Sequence, residues 1–140
     1  MTYLDASALV KWYVEEDGSE RVRQLMARGS LATSRVSEVE VASAVARRCR
    51  EGSFPVTERD RVFAALPSDL AAMFIVELTP GITARCIGLL ARHRLRAGDS
   101  VQLASSLALQ ERADSRVEFV AFDDRLLEAA RAEGLQTPIS

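Results

Sequence analysis

The chain has 140 residues, 48% of them hydrophobic, and a formal net charge of −2, a size and balance that suit one domain over residues 1–140. No apolar run approaches the roughly 18 residues of a membrane span, and the first residues lack the basic start and long apolar core of a signal peptide, so a cytoplasmic protein with no membrane partner is expected. The acidic balance argues against a general electrostatic grip on nucleic acid but does not exclude a local one; the positive charge is almost all arginine, Lys11 being the sole lysine.

Thr2–Leu4 reads as a short strand, followed by helical stretches at Ala6–Val14 and Ser19–Ala27. Leu31–Thr33 reads as a second strand and Val36–Arg50 as a long helix stopped by Gly52 and Pro55. Thr57–Leu66 is helical, with Thr57 as cap and Pro67 beyond its end. Ala72–Leu78, in AAMFIVEL, is an apolar, partly β-branched run that suits a buried strand. A helix then runs from Pro80 to about Arg94 and another from Asp99 to about Arg112. Val117–Phe122 is the clearest strand, Asp123–Glu133 is a helix stopped by Gly134, and Gln136–Ile139 allows a last short strand. Strands separated by helices imply parallel pairing in a doubly wound α/β sheet. Cys49 and Cys86, isolated and without CxxC spacing, read as buried thiols.

In open parallel sheets, ligands bind outside the carboxyl ends of the strands. Asp5 follows the first strand and Asp123 the VEFVAF strand, so both acids share one sheet edge if those strands are neighbours. Each also has a local explanation as a helix N-cap, Asp123 with a hydrophobic staple from Phe122 to Leu127. Asp99 stands at a third helix start, where a cap again suffices. Glu40 lies inside a helix, where capping explains nothing. It shares a polar strip with Ser43, Arg47 and Arg50, apart from an apolar strip of Val39, Ala42, Ala46 and Cys49. That polar strip faces either solvent or a cleft, and periodicity does not choose. Carboxylates brought together repel and call for a cation, and oxygen-only ligands select Mg2+ or Mn2+. Such ions suit phosphodiester hydrolysis. Arg47, Arg48 and Arg50, and Arg92, Arg94 and Arg96 around His93, form arginine clusters that read first as solvated helix faces. His93 itself reads as an exposed surface residue.

The blocks YLDASALVKWY, TSRVSEVEVASAVARR, LRAGDSVQLASSLAL and FVAFDDRLLEAA resemble, in order and spacing, the PIN-domain ribonucleases, and more narrowly the VapC toxins of bacterial toxin–antitoxin pairs. The resemblance implies a three-layer α/β/α sandwich around a central parallel sheet and a Mg2+- or Mn2+-dependent endoribonuclease that hydrolyses RNA by a metal-activated water, leaving 5′-phosphate and 3′-hydroxyl ends. Carried over by position, it implies that Asp5, Glu40, Asp99 and Asp123 are the catalytic, metal-holding acids, with Asp124 less certain. It implies that Ser7 orients a water or an acid, and that Arg47 or Arg96 steers RNA phosphates. A homodimer and a small cognate antitoxin are further implied partners. Gly98 and Gln102 depart from the commonest pattern, which has a larger apolar residue and a histidine there; neither is expected to touch the acidic set.

Other readings fit less well. A receiver domain needs a mid-chain phosphorylated aspartate and a late lysine, where this chain has Leu78, Thr79 and Pro80, and only Lys11. A dehalogenase-type phosphatase wants an aspartate at the position of Ser7. A binding module with a degenerate acidic pocket and no nuclease activity would have lost acids, and all four are present.

Overall fold

A short strand in an α/β protein is covered on both faces, so successive side chains must be apolar or satisfied on either side. The computed structural model, which describes residues 1–139, meets that demand. Strands β1 (Thr2–Leu4), β2 (Leu31–Ser34), β3 (Phe74–Val76) and β4 (Glu118–Val120) form one parallel four-stranded sheet in the order β3–β2–β1–β4. The helices are α1 (Ala6–Tyr13), α2 (Ser19–Met26), α3 (Ser37–Arg50), α4 (Val56–Ala71), α5 (Pro80–Arg92), α6 (Ala97–Ala113) and α7 (Asp124–Ala132). The first four cover one face of the sheet and the last three the other, giving the three-layer α/β/α sandwich.

The central pair shows how register divides the layers. Tyr3 pairs with Phe119 and Leu4 with Val120. Tyr3 and Phe119 are fully buried toward α5–α7, their rings stacked at 5.6 Å, whereas Leu4 and Val120 join Leu9, Val22, Val41 and Val45 beneath α1–α4. In α3 the buried face is Ser37, Val41 and Val45. The Val39 strip is not core, and Val39 is 65% exposed.

Several expectations are corrected. AAMFIVEL forms a strand only over Phe74–Val76, at the sheet edge, with Phe74 48% exposed. Helix α4 begins at Val56 after Pro55, so Thr57 is not its cap, and it continues through Pro67 to Ala71. An internal proline costs about 3 kcal/mol, and the turn beyond it buries Leu70, worth about 1.5–3 kcal/mol, which offsets much of that cost. Gln136 makes an isolated bridge to Glu118 in place of a last strand. Cys86 is buried as expected, but Cys49 is half-buried. Among the described residues no helix is long and apolar enough to cross a membrane.

Phe119→Ala, in the buried stack, is expected to destabilise the protein by about 3–5 kcal/mol in urea unfolding, and Phe74→Ser, on the edge strand, by less than about 1 kcal/mol. Equal losses would contradict this division between centre and edge.

Candidate metal centre

β1 and β4 are neighbours, so the residues that follow them emerge side by side. Asp5 continues the ladder, its N–H donating to Val120 O at 3.1 Å. Its side chain caps α1, with Oδ1 accepting from Ala8 N–H at 2.9 Å and also from the Ser7 hydroxyl at 2.7 Å. Among the described residues no hydrogen bond is made to Oδ2. Ser7 Oγ in turn accepts from Phe122 N–H at 3.2 Å. One hydroxyl thereby ties the exit of β4 to the carboxylate that follows β1. Phe122 packs with the α1–α4 layer and under the Lys11 ammonium (4.7 Å), while Leu127 lies in the opposite layer; the Phe122–Leu127 staple is therefore not formed.

The polar strip of α3 faces a cleft over Glu40, Ser43 and Arg47, while Arg50 is exposed outside its lining. Asp5, Glu40 and Asp99 line one open cavity of about 610 Å³ together with Ser7, Arg47 and Gln102. Glu40 is half-buried, and its Oε1 accepts from Gln102 Nε2 at 2.9 Å. Gln102 is the centre of a buried polar chain. Its Oε1 accepts from Tyr3 OH at 2.7 Å, and its Nε2 also donates to Ser37 Oγ at 3.0 Å. Ser37 and Thr33 hydroxyls lie 2.7 Å apart, and Thr33 donates to Leu4 O at 2.6 Å. Gly98 stands against the same carboxylate: a Cβ there would meet Glu40 Oε2 at 2.6 Å. Both residues expected to stay clear of the acids thus contact Glu40, Gly98 by leaving room and Gln102 by donating. The signal available in the sequence was an amide inside an otherwise small and apolar helical stretch, SVQLASS.

Asp99 does not cap α6. The helix begins at Ala97 after Arg96, which places Asp99 in the first turn, where the helix dipole favours negative charge. Asp123 does cap α7, with Oδ1 accepting from Leu126 N–H at 3.0 Å. Its Oδ2 faces Arg96 at 3.4 Å, and Arg96 also reaches Asp99 at 3.6 Å. Asp123 lines a neighbouring cavity that shares Asp99 and Arg96 with the first; Asp124, also there, is exposed. His93 is not an exposed surface residue. Its side chain is 18% exposed and pairs with Glu133 at 2.7 Å.

Burial pushes the Asp5 carboxyl up to about 7, with the Asp99 and Glu40 charges adding to it and the Ser7 and Ala8 hydrogen bonds opposing. Burial likewise raises Glu40, opposed by Gln102 and reinforced by Asp99, and raises Asp99, opposed by Arg96 and reinforced by Asp123. Three desolvated carboxyls, two of them raised further by the Asp99 charge, are a donor set that a divalent cation would relieve, and all-oxygen donors suit Mg2+ or Mn2+. Among the described residues no three His, Cys, Asp or Glu side chains stand close enough to hold one ion as a preformed cage. Ions of this kind keep several waters, so a looser ring of acids fits them.

Fold and site together define a class: a doubly wound parallel α/β sandwich with an acidic cleft at the carboxyl edge of its strands. A family model described as PIN domain matches residues 2–132. The Mycobacterium tuberculosis proteins named Ribonuclease VapC45 and Ribonuclease VapC49 are each 33% identical over 135 residues, covering 96% of this chain and 92% of theirs. Among solved structures, M. tuberculosis VapC20, titled a sarcin-ricin loop cleaving toxin, superposes with a TM-score of 0.69 at 18% identity over 96% of both chains. A toxin-antitoxin complex from Klebsiella pneumoniae gives 0.63 at 14% identity, over 88% of this chain and 87% of that one. The chain belongs to the PIN-domain family.

Two outcomes follow from the buried acids. Asp5 holds its proton to about pH 7 in the fold but only to about 3.9 when unfolded. Its contribution to the metal-free protein is therefore favourable below about pH 4 and is lost as pH rises through about 7. In EDTA, Asp5→Asn, which keeps a capping side chain, is expected to flatten the fall in melting temperature over that range and to melt above the parent at pH 8. An unchanged pH slope would contradict the burial argument. Gln102→Leu leaves Glu40 without its donor and is expected to weaken Mn2+ binding by about 10–100-fold in calorimetric titration.

Proposed function

We propose that this chain is the endoribonuclease toxin of a type II toxin–antitoxin pair, hydrolysing RNA phosphodiester bonds with Mg2+ or Mn2+ held by Asp5, Glu40, Asp99 and Asp123. Membership of the PIN-domain family and the close likeness to proteins named ribonucleases support the reaction class. The observation that carries the site is Asp5: 3% exposed, with only Oδ1 engaged among the described residues, on the wall of a cleft shared with Glu40 and Asp99.

When bound, a divalent ion would supply neutralisation of phosphate charge and a more acidic water. The protein's own part is positional. Ser7 holds Asp5 in place by donating to Oδ1, and Gln102 holds Glu40 as a charged acceptor by donating to Oε1. Arg96 lies across Asp99 and Asp123, 82% exposed, where it can exchange its carboxylate partners for a phosphate. Arg47, exposed on the same wall as Glu40, offers a second guanidinium at the mouth.

A small antitoxin and a homodimer complete the proposal. The antitoxin is supported by the toxin-antitoxin complex among the structural neighbours, the homodimer by family resemblance. Copurification with the product of an adjacent small gene, and light scattering of the isolated chain, test them separately.

Purified protein is expected to cut single-stranded RNA with Mg2+ or Mn2+ and to stop in EDTA. Asp5→Asn is expected to lose at least about 100-fold in rate while retaining the parent circular dichroism spectrum. Full activity in that variant overturns the assignment.

A further inference from the structure

The second cavity, about 740 Å³, opens beside the acidic cleft and shares Arg96 and Asp99 with it. The segment between α5 and α6 brings Arg94 to its wall, and the first turn of α7 brings Arg125. Both arginines are exposed, and among the described residues neither enters an ion pair. Their neighbour Arg92 pairs with Glu133 at 3.0 Å, and Arg96 is shared by Asp99 and Asp123. Unpaired arginines also occur elsewhere on the surface, so the lack of a partner proves little alone. Position is what matters: these two flank a cavity continuous with the candidate metal centre.

The geometry points to this cavity as a subsite for the RNA backbone, with Arg94 and Arg125 each taking a phosphate next to the one being cut. The inference rests on the nuclease reading. A strand whose scissile phosphate lies in the cleft of Asp5 and Asp99 has to leave it, and the wall it shares with this cavity is Arg96 and Asp99. The acids on that wall, Asp99, Asp123 and Asp124, would repel the strand. Once a divalent cation neutralises the first two, the guanidinium charge is in excess, and planar forks suit phosphate oxygens. An acidic protein segment has no scissile phosphate to anchor it at the centre.

The walls also limit what the subsite reads. Among the described residues no Phe, Tyr or Trp lines it, so it offers no platform for stacked bases, and His93 is held by Glu133. Phosphate contacts position a strand without reading its sequence. This half of the cleft therefore contributes affinity and register, and base selectivity has to come from elsewhere.

The test uses Arg94→Ala/Arg125→Ala and the charge-preserving Arg94→Lys/Arg125→Lys. Binding of two labelled single-stranded RNAs of unrelated sequence is measured by fluorescence anisotropy with Mg2+, in the non-cleaving Asp5→Asn background, over a range of KCl. The alanine pair should weaken both RNAs equally and lower the log–log salt slope by about 1.4, at about 0.7 per phosphate contact on a single strand. The lysine pair should restore most of the slope, which also shows that misfolding is not the cause. With Asp5 intact, the alanine pair should raise KM for RNA cleavage with kcat unchanged. An unchanged salt slope in a protein that cuts RNA overturns the subsite and leaves the nuclease reading standing. Loss confined to one RNA sequence overturns the backbone assignment. Retained RNA binding with lost binding of polyglutamate assigns the cavity to an acidic protein segment instead. A parent protein that neither binds nor cuts RNA overturns the nuclease reading and the subsite with it.

Discussion

The parallel pairing of β1 with β4 is the constraint on which the rest depends. Its register sets Tyr3 against Phe119 and Leu4 against Val120. Strand side chains alternate with a period of two, so a slip by one residue would exchange the two faces and lift the Tyr3–Phe119 stack out of its layer. The same register carries the chain out of the sheet at one edge, Asp5 from β1 and Asp123 from β4. The Asp5 N–H still bonds to Val120 O, and Ser7 Oγ accepts from Phe122 N–H. Packing of apolar residues in the middle of the sheet thus sets the spacing of charged residues at its end.

Holding acids there works against stability. Burial raises Asp5, Glu40 and Asp99 together, the Asp99 charge makes Asp5 and Glu40 harder to ionise, and Asp123 does the same to Asp99. Each acid meets this locally in a different way. Asp5 uses a helix N-terminus and a hydroxyl, both on Oδ1. Glu40 takes an amide from Gln102, itself held by Tyr3 and Ser37. Asp99 has the dipole of α6 and Arg96. The hydroxyl and the amide orient Asp5 and Glu40 without neutralising them, and only Asp99 has a counter-charge among these partners, on the exposed Arg96, an arrangement that suits a cation site and that a merely stable core would avoid.

Much of the architecture was legible because its causes are local. The β1 strand, the Asp5 and Asp123 caps and the strand–helix alternation follow from neighbouring residues, and each is present. The misreadings arose where a distant contact outweighed a local rule. Pro67 lies within α4, whose turn beyond it buries Leu70. His93, read as exposed among arginines, is drawn down by Glu133 from forty residues away. Gln102 and Gly98 looked incidental because Glu40, which both of them meet, lies far off along the chain.

The sequence by itself determined the periods, the caps and the order of the acidic blocks, since backbone geometry and nearest-neighbour hydrogen bonds act within a few residues. It also marked Glu40 as an acid that no cap explains. Only the tertiary structure decided that the Glu40–Ser43–Arg47 strip lines a cleft and that Val39 accompanies it in place of the core. It alone decided which carboxylate oxygen is engaged and how far burial raises each acid. Desolvation and long-range pairing are set by atoms from many parts of the chain, and a charge is only as costly as the surroundings that fold around it.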